Sequence, residues 1–230
     1  MRLALTMRVE SAPGYDETRD AISHDWFLWL NSLGHVPAPV PNCLSTPGTY
    51  LRDFEVDALV LTGGNDLEAH PGAKDATSAQ RTRTEEALIG AALDAGMPVL
   101  GTCRGLHVIN AYFDGGLTRD IEGQIEKPAA HVAVRHRVRL APPFNELAGA
   151  AEIETNSFHN QGVAPDQLAP ALYAFANCAE DGLVEGLVHP ELPLLAIQWH
   201  PERPNPAAPF DRCLLAKLLD EGAFWKGQIP

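Results

Sequence analysis

Met97-Pro98-Val99-Leu100, then Gly101-Thr102-Cys103-Arg104-Gly105, then Leu106-His107-Val108-Ile109, is the stretch that decides the fold. An apolar run, a glycine-flanked turn and a helix start stand there in order. This is the nucleophile elbow G-x-S-x-G with cysteine in place of serine. Glycines on either side leave room for a sharp strand-to-helix turn, and the turn exposes the nucleophile above the sheet. The helix that follows aims its N-terminus at the sulfur and favours a thiolate.

A partner for that cysteine lies far downstream. Leu194-Leu195-Ala196-Ile197-Gln198-Trp199 reads as a buried strand that delivers His200-Pro201-Glu202. A histidine at a strand end, with a carboxylate two residues on, is a base with its orienting group. Cysteine, histidine and a third polar group form an activated-nucleophile triad. Alone, Cys103 reads equally as a core thiol and His200 as a strand-end surface histidine. Together, in these contexts, they point to catalysis.

Outward from the elbow, strands and helices alternate. Arg2 to Met7 reads as a first strand, and Asp16 to Leu33 as a helix with Ile22, Trp26, Trp29, Leu30 and Leu33 on one face and Gly34 as its stop. His35 to Val40 and Val56 to Leu61 are further strands, the latter ending in the Gly63-Gly64 turn. Ser78 reads as an N-cap, and Leu88, Ala91, Ala92 and Ala95 give helical spacing up to Gly96. This alternation predicts an α/β fold, a mostly parallel sheet with helices on both faces. Loops that carry function gather at the strands' C-terminal ends in such sheets. The Gly63-Gly64 turn, Cys103 and His200 all stand at such ends. The second half is richer in short strands, about His131 to Leu140, Ala151 to Thr155, Ala171 to Cys178, Leu183 to His189 and Leu194 to Trp199. Asp181-Gly182 marks a hairpin turn, and a last helix carries Phe210, Leu214 and Leu218.

The 230 residues, 45% of them hydrophobic, suffice for one well-buried domain over 1–230, with no linker or repeat to divide it. Prolines cluster at 37–47 and 201–209, where they read as loops. A net charge of -13 disfavours nucleic-acid binding. The alternating run Arg135-His136-Arg137-Val138-Arg139 reads as a strand with a charged outer face, and for an anionic ligand this strand and Arg104 are the candidate cations. Four scattered cysteines without a C-x-x-C pair fit a reducing compartment, and a cytoplasmic location is expected. No metal-ligand spacing stands out among the nine histidines, and no cofactor is expected. No run is long and apolar enough to cross a bilayer. A homo-oligomer is compatible with the sequence.

GTCRG followed by QWHPE resembles the class I glutamine amidotransferase-like superfamily. Three segments point to its γ-glutamyl hydrolase branch: Thr62-Gly63-Gly64-Asn65-Asp66, Asn156-Ser157-Phe158-His159-Asn160-Gln161 and Asp181-Gly182-Leu183-Val184-Glu185-Gly186. The opening, Gly14 to Trp26, is similar to that of the γ-glutamyl-CDP-amidate hydrolases of capsule phosphoramidate synthesis. The resemblance implies a flavodoxin-like fold and a small-molecule γ-glutamyl substrate. Cys103 would be the nucleophile, His200 the base and Glu202 its orienter, with an oxyanion hole from the backbone N–H groups of Gly64 and Arg104. Gly63, Asn65, His107, Ser157, Phe158 and His159 would line the substrate site. Residues alone leave other readings open: Asn65 and Asp66 in an Asx turn, and the 156–161 cluster as a helix cap. Four residues past the nucleophile, most relatives carry glutamine where this chain has His107. That departure favours a specialised γ-glutamyl amide over free glutamine. A glutaminase subunit feeding ammonia to a synthase, or a non-catalytic binding relative, remain the alternatives.

Overall fold

The computed structural model describes residues 1–67 and 76–229. In chain order its elements are β1 (Arg2–Thr6), β2 (Arg8–Ser11), β3 (Thr18–Ala21), α1 (His24–Ser32), β4 (Val36–Val40), α2 (Pro47–Asp53), β5 (Ala58–Leu61), α3 (Ala76–Asp94), β6 (Val99–Thr102) and α4 (Arg104–Tyr112). There follow α5 (Ile121–Gln124), β7 (Val132–Leu140), α6 (Phe144–Ala148), β8 (Glu152–Phe158), β9 (Tyr173–Cys178), β10 (Val184–Val188), β11 (Leu194–Ile197) and α7 (Ala208–Glu221).

One nine-stranded sheet runs β4-β1-β5-β6-β11-β10-β9-β7-β8. Its pairings from β4 to β11 are parallel, and those from β11 to β8 antiparallel. The parallel section is the expected α/β architecture. β5, β6 and β11 are buried at every position, as strands covered on both faces must be. Two apolar layers flank the sheet. Trp26, Leu30, Leu214 and Leu218 pack on one face, and Leu88, Ile89, Leu106 and Ile109 on the other.

The register explains how the elbow and the distant histidine meet. β6 lies between β5 and β11, with Leu100 opposite Val60 on one side and Leu195 on the other. Both neighbours are parallel to it, so Gly63-Gly64, Cys103 and His200 follow the same, C-terminal end of their strands. Gly105 is fixed by packing. A Cβ there would stand 2.4 Å from the Leu61 carbonyl oxygen, so α4 can lie this close to β5 only with glycine.

Several expectations are corrected. Residues 18–21 are strand β3, which pairs antiparallel with β2, and α1 starts only at His24. Ser23 stops the helix from extending upstream: it is extended, and its hydroxyl accepts from the Asp25 amide at 3.3 Å. Ser78 lies inside α3 and not at its cap, and its side chain is outside the described residues. Pro37 and Pro39 sit in a strand and not a loop. They are tolerated because β4 is the sheet edge and pairs on one side only. β8 continues to Phe158, so Asn156, Ser157 and Phe158 are strand residues, not loop residues. Among the described residues, no helix is long and apolar enough to cross a membrane.

Candidate active site

Cys103 stands between β6 and α4 with φ 51° and ψ -107°, a strained conformation for a residue with a side chain. Its amide donates to the Ile197 carbonyl at 2.9 Å, which ties the elbow to β11. β11 in turn brings His200 to the cysteine. His200 Nδ1 donates to Glu202 Oε1 at 2.8 Å, so Nε2 is the nitrogen left to exchange a proton with Cys103. Burial disfavours the imidazolium. The charge of Cys103, and hydrogen bonds with Cys103 and Glu202, outweigh that cost, and the His200 pKa is pushed up to about 9. Gly63 sits against this pair: a Cβ there would lie 2.8 Å from His200 Cε1 and 3.3 Å from Cys103 Cβ.

A pocket of about 370 Å³ opens over the cysteine. Gly64, Asn65, Asp66, Cys103, Arg104, His107, Phe158, His159, His200 and Arg203 are among the residues that line it. Phe158 meets the His200 ring edge-on at 5.6 Å, and the Arg203 guanidinium lies 4.5 Å over the Phe158 ring. Arg203 also approaches Glu202 Oε1 at 3.7 Å. Arg8 covers Gly64 from the neighbouring hollow, which also contains His200 and Arg203.

His107 is buried and its Nε2–H donates to Gln198 Oε1 at 2.9 Å. Burial, above all, lowers its pKa to about 3, so this histidine is neutral at pH 7. One expected substrate contact is corrected, and a second lines the pocket with its side chain already engaged. The Ser157 hydroxyl is buried and donates to the His131 carbonyl at 2.7 Å, so it faces away from the pocket. Asn65 lines the pocket, but its side-chain amide is committed to β2. It accepts from the Val9 amide at 3.0 Å and donates to the Val9 carbonyl at 3.1 Å. The Arg104 side chain is not a free cation either. It pairs with Glu85 at 3.1 Å and donates to Thr82 at 2.8 Å. The basic run on β7 lines a different hollow, where Arg135 and Arg137 pair with Glu154, Glu152 and Glu180.

Three supporting groups escaped the sequence reading. Arg81 is buried, donates to the carbonyls of Thr62, Gly63 and Gly64, and pairs with Glu85 at 2.8 Å, so it shapes the glycine turn. Asn156 brackets the His200 backbone. It accepts from the His200 amide at 2.9 Å and donates to the His200 carbonyl at 2.8 Å. The third is a buried cluster in which His159, expected at the substrate site, meets His131, His136 and Glu185. Burial disfavours charge on Glu185, yet the neighbouring imidazoles of His136 and His159 outweigh that cost and hold it ionised, with a pKa of about 2. The likeness of the 156–161 and 181–186 segments to family motifs was the available signal for Asn156 and Glu185.

A family model for peptidase C26 matches residues 5–202. The chain belongs to the peptidase C26 family. This C26 member is 39% identical over 166 residues to the glutamine amidotransferase-like protein YvdE of Lactococcus lactis; the match covers 64% of this chain and 66% of that protein, just under two thirds of its length. It is 26% identical over 206 residues to the gamma-glutamyl-CDP-amidate hydrolase of Campylobacter jejuni, with 89% and 92% of the two chains covered. A GMP synthase component from Thermoplasma acidophilum shares the fold, with a TM-score of 0.68 at 19% identity and coverage of 98% of this chain and 95% of that one. The architecture is that of the class I glutamine amidotransferases.

Proposed function

We propose that this protein is a cysteine hydrolase that cleaves the γ-glutamyl amide bond of a small molecule through a glutamyl-thioester. The observation that carries this reading is the strained Cys103 beside the His200–Glu202 pair at the floor of a pocket. Cys103 Sγ, its proton passed to His200 Nε2, attacks the γ-carbonyl carbon. The backbone N–H groups of Gly64 and Arg104 receive the oxyanion; a donor of this kind is worth on the order of 3 kcal/mol in enzymes of this design. The tetrahedral adduct collapses as His200 Nε2–H protonates the leaving nitrogen, and the amine departs. Water then attacks the thioester while His200 takes its proton. Collapse of that adduct releases glutamate, and the thiol recovers its proton. Glu202 holds the imidazole and balances its charge throughout.

The leaving group is an anion, and γ-glutamyl-CDP-amidate fits. Support comes from Arg203 and Arg8, whose side chains are 33% and 39% exposed at the pocket mouth, and from the relative of that activity. These two arginines take the place of Arg104 and the β7 run as the cationic recognition groups. The test compares γ-glutamyl-CDP-amidate, γ-glutamyl-aminobutyrate and glutamine in one glutamate-release assay. The nucleotide amide is expected to lead in kcat/KM by orders of magnitude, a lead that added salt erodes. Equal or better turnover of glutamine would overturn the assignment and favour an ammonia-delivering glutaminase.

A further inference from the structure

We infer that His131, His159 and Glu185 form a binding site for one divalent transition metal, of the zinc class, behind the wall of the catalytic pocket. The inference stands apart from the hydrolase reading, because it uses none of Cys103, His200 or Glu202. One ligand atom from each of the three residues lies within 4.8 Å of the other two, and all three residues are buried.

The hydrogen bonds fix which nitrogens face inward. His131 Nε2–H donates to Asp181 Oδ2 at 2.8 Å, which leaves Nδ1 as a lone pair. His159 Nδ1–H donates to the Gln161 carbonyl at 2.8 Å, which leaves Nε2 as a lone pair. A carboxylate or carbonyl behind each imidazole is how proteins orient metal-binding histidines. Both free nitrogens point at the same carboxylate oxygen. His131 Nδ1 lies 3.8 Å and His159 Nε2 3.5 Å from Glu185 Oε1. His136 Nε2 lies 3.4 Å from Glu185 Oε2 and offers a further donor. Among the described residues, none of these inward atoms has a hydrogen-bond partner.

Lone pairs gathered on a buried carboxylate repel unless a cation stands between them. Distance separates the two cations available. A charge-assisted N–H···O bond closes to about 2.7–2.9 Å. The edge of a tetrahedron with metal–ligand bonds of about 2.0–2.1 Å is about 3.4 Å, close to the separations found. Imidazole and carboxylate donors select zinc, cobalt or nickel over magnesium or calcium. Cys178, the other soft donor near His131, donates its thiol to Glu180 at 3.4 Å and is already engaged. An ion here would tie the start of β7, the 157–161 segment and β10 together. It would fix His159, which lines the pocket, and the pocket gives the ion its way in.

The test uses untagged, chelator-stripped full chain carrying Cys103→Ala, so that the catalytic thiol cannot bind metal. Titration with Co²⁺ is expected to give one equivalent per chain, with the intense visible bands of four-coordinate cobalt, and Zn²⁺ should displace it. The melting temperature should rise with Zn²⁺ and fall again with chelator. Glu185→Gln and His131→Gln should each lower the affinity by roughly 100-fold, while Cys178→Ala should leave it unchanged. Absence of stoichiometric Co²⁺ or Zn²⁺ binding by the folded Cys103→Ala protein overturns the site, whether or not the Glu185 variant folds. So does binding that needs Cys103, or that survives Glu185→Gln, or that is lost with Cys178→Ala alone.

Discussion

At the scale of single residues, the proposed mechanism turns on His200 and where its proton sits. Its pKa of about 9 means that the imidazolium persists to that pH beside Cys103. In the proposed mechanism the imidazolium protonates the leaving nitrogen, so kcat/KM should hold through neutrality and fall as pH rises through about 9. Cys103→Ala removes the charge that favours the imidazolium. In that variant the His200 resonance followed by NMR should titrate at lower pH than in the wild type. An alkaline limb near 6.5, or a His200 pKa unmoved by Cys103→Ala, would show that the two groups are not coupled. Arg203 acts at the same scale. Arg203→Ala should raise KM for a nucleotide phosphoramidate by about tenfold, one lost charged contact of about 1.4 kcal/mol, with little change for glutamine. Equal losses on both substrates would assign Arg203 to holding Phe158 or Glu202 instead.

The elements set how closely these residues approach. Gly105 is the point at which α4 meets β5, and Gly105→Ala forces a Cβ against the Leu61 carbonyl. It should destabilise the fold by about 1–3 kcal/mol or more, measured by denaturant unfolding, because backbone on both sides must move. Asn156 on β8 works through its hydrogen bonds to the His200 backbone. Asn156→Ala should cost on the order of 100-fold in kcat with KM little changed, the pattern of a base held off its position. The elbow, the strand before His200 and the parallel order were legible because each rests on local sequence: an apolar run, paired glycines, a chain stop. The β2–β3 hairpin was not. Thr18–Ala21 carries no apolar face, and its partner is a strand ten residues upstream. The strand character of Asn156–Phe158 was hidden for a similar reason. Asn156 bonds the His200 backbone and Ser157 the His131 carbonyl, so both polar side chains are buried, which breaks the alternation of apolar and polar positions that marks a strand.

Across the whole molecule, polar groups are buried in networks that the sequence could suggest only by likeness to known motifs. Arg104 lines the pocket but its guanidinium pairs with Glu85, a carboxylate it shares with Arg81, while Arg203 reaches the pocket from the chain after Glu202. Asp211 belongs to such a network, accepting from Trp199 Nε1 and Asn205 Nδ2 next to the segment that holds His200. Burial raises its pKa to about 7, against the pull of those hydrogen bonds. The folded state therefore binds this proton more tightly than the unfolded chain, whose carboxyl titrates near 4. Asp211 should weaken the fold progressively as pH rises from about 4 to 7. Measured against Asp211→Asn by urea unfolding, the wild type should lose relative stability across that window. A constant difference between the two proteins would show that Asp211 ionises at its ordinary pH.

The central claim, a glutamyl-thioester on Cys103, is tested most directly by rapid-quench intact-mass measurement during turnover of a γ-glutamyl amide. One glutamyl group should appear on the protein, map to the peptide that carries Cys103, and be absent in Cys103→Ala. Acylation of the exposed Cys43 or Cys213, or turnover that continues in Cys103→Ala, would contradict the account.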